Sequence, residues 1–228
     1  MPLGIVSGLG LEARRLGRGG AASNTEILTA TGAGEGAARA AESLVASGAE
    51  ALMSFGLAGA LNPELVSGDL VVAARIVEAT GASYDCDEGW RAHLVGALRQ
   101  AGVTSRVGAL LGSDTVVSEP EEKVACHLES GAQAIDTESH HVARTAAAAG
   151  LPFAALRVIV DPQQYRIPAS ALVAYGDDGV LRPLTLAVEI MRRPTDLPAL
   201  LALARRSRTA LRSLGRVGGL GAGLVLPL

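Results

Sequence analysis

The chain has 228 residues, 49% of them hydrophobic and 19% charged, with a formal net charge of -3. That length and apolar fraction suffice for one sizeable core, and Lys and Arg scattered under a slight negative balance exclude a broad nucleic-acid-binding face. Cys86 and Cys126 make no disulfide framework, the first apolar run is too short for a signal-peptide core, and no stretch reaches the ~20 apolar residues of a membrane span, so a cytoplasmic protein is expected.

Leu3 to Val6 reads as a buried strand and leads through Ser7-Gly8-Leu9-Gly10-Leu11 to Glu12. The loop approaches a dinucleotide fingerprint, but Glu12 and Ala13 stand where the spacing needs glycine, so Rossmann cofactor binding is not expected. A second strand, Ile27 to Thr31, passes through Gly32-Ala33-Gly34 into a helix over Glu35 to Ser47. That junction has two readings, a helix N-terminus cradling an anion or a sugar hydroxyl and a plain tight turn. Ala51 to Phe55 is the third strand, and Ser54-Phe55-Gly56-Leu57-Ala58-Gly59-Ala60-Leu61 reads as a small-residue turn that a flat ligand could approach closely.

Further strands are expected at Asp69 to Val77, Ser105 to Leu110, Ala132 to Ile135 and Ala154 to Val160, the last ending at Asp161. Helical spacing covers Trp90 to Gln100, Pro120 to Glu129 and Glu138 to Ala149. Apolar strands alternating with Ala-rich helices predict an α/β fold, a three-layer α/β/α sandwich with a mostly parallel mixed central sheet. Ligands in such sheets bind beyond the carboxyl ends of the strands, which directs attention to Glu12, Asp136-Thr137-Glu138 and Asp161.

After Pro183 the chain is punctuated by Pro194 and Pro198. A helix over Leu200 to Leu214 would carry a Leu-Ala face and a basic face of Arg205, Arg206, Arg208 and Arg212, read as solvated or as facing an anionic membrane or a partner. One domain is expected over 1–216, with 217–228 a flexible Gly-Leu tail. His140 and His141 follow Glu138, but adjacent histidines on a helix point about 100° apart and are not expected to share an ion, so no metal site is predicted.

In chain order, GLGLE at 8–12, SFGLAGAL at 54–61, GDLVV at 68–72, IDTESHHVA at 135–143 and LRVIVD at 156–161 carry a resemblance. Over roughly residues 3–175 the chain resembles the purine nucleoside phosphorylase and methylthioadenosine/adenosylhomocysteine nucleosidase superfamily. DPQQYRIPASAL at 161–172 and RRPTDLPALLALAR at 192–205 are similar to its hopanoid-associated branch, whose members are implicated in removing adenine from adenosylhopane. The resemblance implies a nucleoside phosphorylase-like fold and cleavage of the N-glycosidic bond of a 5′-modified purine nucleoside.

It also implies the roles. Asp161 would be the general acid at purine N7, Glu138 the holder of the ribose hydroxyls, and Glu12 the group that orients or deprotonates water, while Asp136 drops out of the catalytic set. Ser54, Gly56, Ala58, Gly59, Val116, Val117, Thr137 and Tyr165 would contact substrate. An apolar groove for a lipid 5′ group would run along Tyr165, Ile167, Leu172, Val173 and Tyr175, with peripheral membrane contact and a homo-oligomer as further expectations.

Three departures stand out: Val160 where many relatives have Ser, Val116 where a purine-stacking aromatic is common, and Ser54 where phosphorylases carry Arg. The last, beside the Glu12 carboxylate, favours water over phosphate, with Arg14, Arg15 or Arg75 as alternative sources of positive charge. No cofactor is expected. Inorganic phosphate would be the co-substrate of a phosphorylase, and a nucleoside-binding module without chemistry is the remaining alternative.

Overall fold

The computed structural model describes residues 2–14, 27–174 and 182–224. In chain order the elements are β1 (Leu3–Ser7), α1 (Gly10–Ala13), β2 (Ile27–Thr31), α2 (Gly36–Ala46), β3 (Ala51–Ala60), β4 (Leu70–Glu78), β5 (Ser83–Asp85) and α3 (Glu88–Gln100). They continue as β6 (Ser105–Gly112), α4 (Pro120–Ser130), β7 (Ala134–Asp136), α5 (Ser139–Ala149), β8 (Phe153–Asp161), α6 (Ala169–Ala174), α7 (Pro183–Arg192) and α8 (Leu197–Gly218). Local chemistry fixes several ends. The Asp87 side chain caps α3 by accepting the Trp90 N–H at 2.7 Å, Pro120 opens α4, and α4 and α5 stop at Gly131 and Gly150, both at φ 65°, a left-handed conformation that glycine adopts without steric cost.

The mixed, mostly parallel sheet is as expected. Its order is β2-β1-β3-β7-β6-β4-β5, and β8 pairs with both β3 and β4. The pairings β3–β8, β8–β4, β4–β6, β6–β7 and β7–β3 therefore close a ring, which a plain sandwich would lack. Irregular register at Ala58/Gly59 and Ala73/Arg75 accompanies this coiling, as bulges do where strands bend sharply.

Helices cover both faces. Ala37, Ala40, Ala41 and Leu44 of α2 join Val142, Ala143 and Ala146 of α5 in one buried cluster, while Trp90, Leu94 and Leu98 of α3 join Ala210, Leu214 and Val217 of α8 in the other. With only 3% aromatic residues, close approach of Ala-lined helices supplies the packing density that large rings supply elsewhere.

Two expectations are corrected. The small-residue turn at 54–61 is instead the continuing strand β3, buried almost throughout to Ala60. Part of the expected tail also forms regular structure: α8 runs through Val217 to Gly218, a 3-10 turn spans Gly221–Leu224, and the carbonyl of the buried Leu224 accepts the Trp90 indole N–H at 2.8 Å. A slot between helices, invisible as sequence periodicity, receives that segment. Residues 225–228 lie outside the described residues. The basic face of α8 is solvated at Arg205, Arg208 and Arg212, and none of the described helices is long and apolar enough to cross a membrane.

Trp90 is the only tryptophan, so its emission reports this contact. Ending the chain at Gly219 removes the Leu224 side chain and orphans the indole N–H, and is expected to red-shift the fluorescence and lower the unfolding free energy by about 2–4 kcal/mol in urea titrations.

Candidate active site

The site forms around a buried charge that the strand pattern does not advertise. Arg157, in the middle of β8, is 1% exposed. Its Nη2 donates to Ser54 Oγ at 2.7 Å and to Asp136 Oδ1 at 3.1 Å, and lies 3.7 Å from Glu138 Oε2. Asp136 ends β7 and starts α5: its Oδ1 also accepts the N–H groups of Glu138 and Ser139 at 2.8 and 2.7 Å, and its Oδ2 accepts the Ser139 hydroxyl at 2.7 Å. Burial opposes its charge, but Arg157 and these donors prevail and hold its pKa below the usual carboxylate value. Asp136 thus positions both Arg157 and Glu138.

Glu12 and Glu138 flank this pair. Glu12 Oε2 accepts the Leu9 N–H at 2.8 Å and its Oε1 the Leu57 N–H at 2.9 Å. Burial nonetheless raises its pKa, outweighing those amides and Arg157. Glu138 Oε1 accepts the Thr137 hydroxyl at 2.6 Å. Burial first, then the charges of Asp136 and Glu12, push its pKa up to about 7 against the pull of Arg157. One guanidinium therefore serves three carboxylates, and two of them are biased toward the protonated state.

Asp161 forms a separate charged unit at the end of β8. Its Oδ2 accepts from Lys123 Nζ of α4 at 2.6 Å, and Lys123, fully buried, also donates to the Tyr165 carbonyl at 2.8 Å. Burial raises the Asp161 pKa although the Lys123 ammonium draws it down.

Each acid rests against a glycine. A Cβ on Gly8 would lie 2.8 Å from the Glu138 carboxyl carbon, one on Gly56 2.9 Å from Glu12 Oε2, and one on Gly59 3.0 Å from Asp161 Oδ2. The glycines of the SFGLAGAL segment therefore make room for carboxylates inside a strand. Gly32, by contrast, abuts the Gly36 carbonyl, where a Cβ would fall at 2.2 Å, the geometry of a tight strand-to-helix turn.

Other expected contacts are spread more widely. Ser54 and Ala58 are buried on β3, Thr137 hydrogen-bonds Glu138, and Val117 packs half-buried beside Leu61, Leu111 and Ile135. Val116 is 56% exposed. The exposed Tyr165 ring lies under the Arg206 guanidinium, 3.4 Å from centroid to Cζ. Tyr175 and Arg15 lie outside the described residues, and Arg14 and Arg75 are exposed. The cation beside Ser54 is instead Arg157, already committed to carboxylates.

Lys123 and Arg157 escaped the sequence reading. A lone Arg in the apolar run Ala154 to Val160 is a usable signal, since a buried charge demands a partner. Lys123, after Glu121 and Glu122, carries no such signal. The two histidines, expected to point about 100° apart, instead converge: His140 and His141 Nε2 lie 3.0 and 3.3 Å from the same Asp114 Oδ1, because side-chain torsions bring adjacent rings together, their centroids 3.9 Å apart.

Residues 12–173 match the family model for the Phosphorylase superfamily, and the chain belongs to that superfamily. No curated protein sequence matches it. Among solved structures it is similar to the 5′-methylthioadenosine/S-adenosylhomocysteine nucleosidase of Helicobacter pylori, at 18% identity and TM-score 0.69 over 95% of this chain and 97% of that one. The futalosine hydrolase of Helicobacter pylori strain 26695 gives the same four values. The S-adenosylhomocysteine nucleosidase of Streptococcus pyogenes has 20% identity and TM-score 0.69 over 95% of each chain. At these identities the likeness is one of fold.

The raised Glu138 pKa has a signed consequence. Folding favours its protonated form, so that contribution to stability is present below the ordinary value of 4.5 and is lost as pH rises through about 7. Glu138→Gln, which cannot ionise, is expected to gain stability relative to wild type between pH 5 and pH 8, on the order of 2–3 kcal/mol. Thermal melts at the two pH values measure it.

Proposed function

We propose that the chain cleaves the N-glycosidic bond of a 5′-substituted purine nucleoside with water as nucleophile. The observation that carries this reading is the pair of buried acidic units, Glu12 with Glu138 around Arg157 and Asp161 with Lys123, at the strand ends of a phosphorylase-superfamily fold. As the C1′–N9 bond breaks, its electron pair passes to the purine, and Asp161 gives or shares a proton at N7. A raised pKa suits that task. Glu138 accepts hydrogen bonds from the ribose hydroxyls and stabilises the developing oxocarbenium charge. Glu12 orients the water that attacks C1′ and receives its proton.

Water is favoured over phosphate by charge. Among the described residues Arg157 is the buried cation of the Glu12–Glu138 cluster, and it is bound to Asp136, so a phosphate dianion entering beside Glu12 would meet carboxylates that no other described cation balances. The solved relatives named above are nucleosidases and a hydrolase, which supports the same choice.

For the substrate we propose adenosylhopane, with adenine as product, on the resemblance of 161–172 and 192–205 to the hopanoid-associated branch. Exposed Val173 beside half-buried Ile167 and Leu172 is compatible with an apolar 5′ group. Contact with a membrane surface and a homo-oligomeric state belong to the same proposal; vesicle flotation and sedimentation measure them.

The test is incubation with a 5′-alkyl adenosine, with and without phosphate. Phosphate-independent release of adenine and a free sugar is expected, and a sugar 1-phosphate would identify phosphate as the nucleophile. Asp161→Asn is expected to lower kcat by about 10²–10⁴-fold while nucleoside binding persists. Tight binding with no adenine released by wild type would mean a binding module.

The glycines give an independent check. Gly8→Ala and Gly56→Ala meet flexible carboxylate ends rather than backbone, so folding is expected to survive. Displacing Glu138 or Glu12 by about 1 Å is expected to cost roughly 100-fold in kcat/KM.

A further inference from the structure

The loop after β6 and the first turn of α5 bring Asp114, His140 and His141 together away from the roles assigned above. Their ligand atoms all lie within 4.8 Å of one another. We propose that these three side chains form a binding site for a divalent first-row transition cation, with zinc as its natural probe.

Distances support this first. Tetrahedral zinc with bonds of about 2.0–2.1 Å places neighbouring donor atoms about 3.3 Å apart. Asp114 Oδ1 stands 3.0 Å from His140 Nε2 and 3.3 Å from His141 Nε2. Two imidazoles and one carboxylate are a donor set suited to zinc rather than to calcium or magnesium, which prefer oxygen.

The second observation is an unmet nitrogen. His141 is buried, and its Nε2 has no hydrogen-bond partner among the described residues although Asp114 Oδ1 is close. A buried ring nitrogen without a partner is costly, and an ion between it and the carboxylate would satisfy it. The third is placement. Ser113 N–H donates to the Asp136 carbonyl at 3.0 Å, the Ser113 hydroxyl donates to the Thr115 carbonyl at 2.8 Å, and a Cβ on Gly112 would fall 2.4 Å from His140 Cβ. The backbone is thus anchored so that Asp114 faces the start of α5. The Asp114 side chain is 77% exposed, which leaves an entry path and a position for water.

Such an ion would take no part in bond cleavage. It would clamp the loop carrying Val116 and Val117 to the helix that begins beside Glu138, fixing one rim of the site. This site stands independently of the proposed nucleosidase activity.

Zinc titration of the chelator-treated full chain tests it by calorimetry, with cobalt as a spectroscopic probe. One equivalent per chain is expected, with the visible bands of low-coordinate cobalt. Loss of an outer hydrogen-bond partner alone costs about 10–100-fold in metal affinity, so Asp114→Ala and His141→Gln are each expected to weaken zinc by at least about 100-fold. Asp114 is exposed, so Asp114→Ala should keep the wild-type Trp90 emission and melting temperature without zinc. Cys126→Ala should leave binding unchanged. Absence of saturable binding, binding unaltered by Asp114→Ala, or its loss in Cys126→Ala would overturn the site.

Discussion

Everything at this site follows from burying several carboxylates with, among the described residues, too few cations to neutralise them. Arg157 compensates Asp136 fully and Glu138 in part, and Lys123 compensates Asp161. Desolvation of a buried ion costs several kcal/mol and an ion pair seldom repays it, so these groups weaken the fold that carries them. Raised pKa values at Glu12, Glu138 and Asp161 are the signature of that imbalance. Stored electrostatic stress of this kind is characteristic of sites built for proton handling.

The sheet makes the concentration geometrically feasible. Because β8 pairs with β3 on one side and β4 on the other, and β7 runs antiparallel to β3, Arg157, Asp136 and Asp161 arrive beside a single strand. That strand is stripped of side chains where the acids come in, at Gly56 and Gly59. Gly8 does the same for Glu138 from β1's loop. The two acidic units stay distinct, Glu12 and Glu138 around Arg157 and Asp161 against Lys123.

Packing around the site is correspondingly plain. Ala-rich faces of α2 and α5 and the Leu-rich faces of α3 and α8 clamp the two sides of the sheet and support the strands that carry the carboxylates. Lys123 extends that support into α4, and its bond to the Tyr165 carbonyl ties the segment after Asp161 to the same helix.

Much was legible in the chain itself. Apolar runs and Ala-rich helical spacing determined the α/β class and most element positions, because burial on two sheet faces leaves an unbroken hydrophobic signature. Glu12, Glu138 and Asp161 stood out from segment order and strand-end placement. Tertiary structure alone decided that 54–60 is strand and not turn, that the sheet closes, that Leu224 docks on Trp90, and that Lys123, Arg157 and the Asp114–His140–His141 cluster exist as partners. The physical reason is range: periodicity records what a residue does relative to its own backbone. Charge pairing and the space left by a missing Cβ depend on residues such as Gly8 and Glu138, 130 positions apart, which only the folded chain brings into contact.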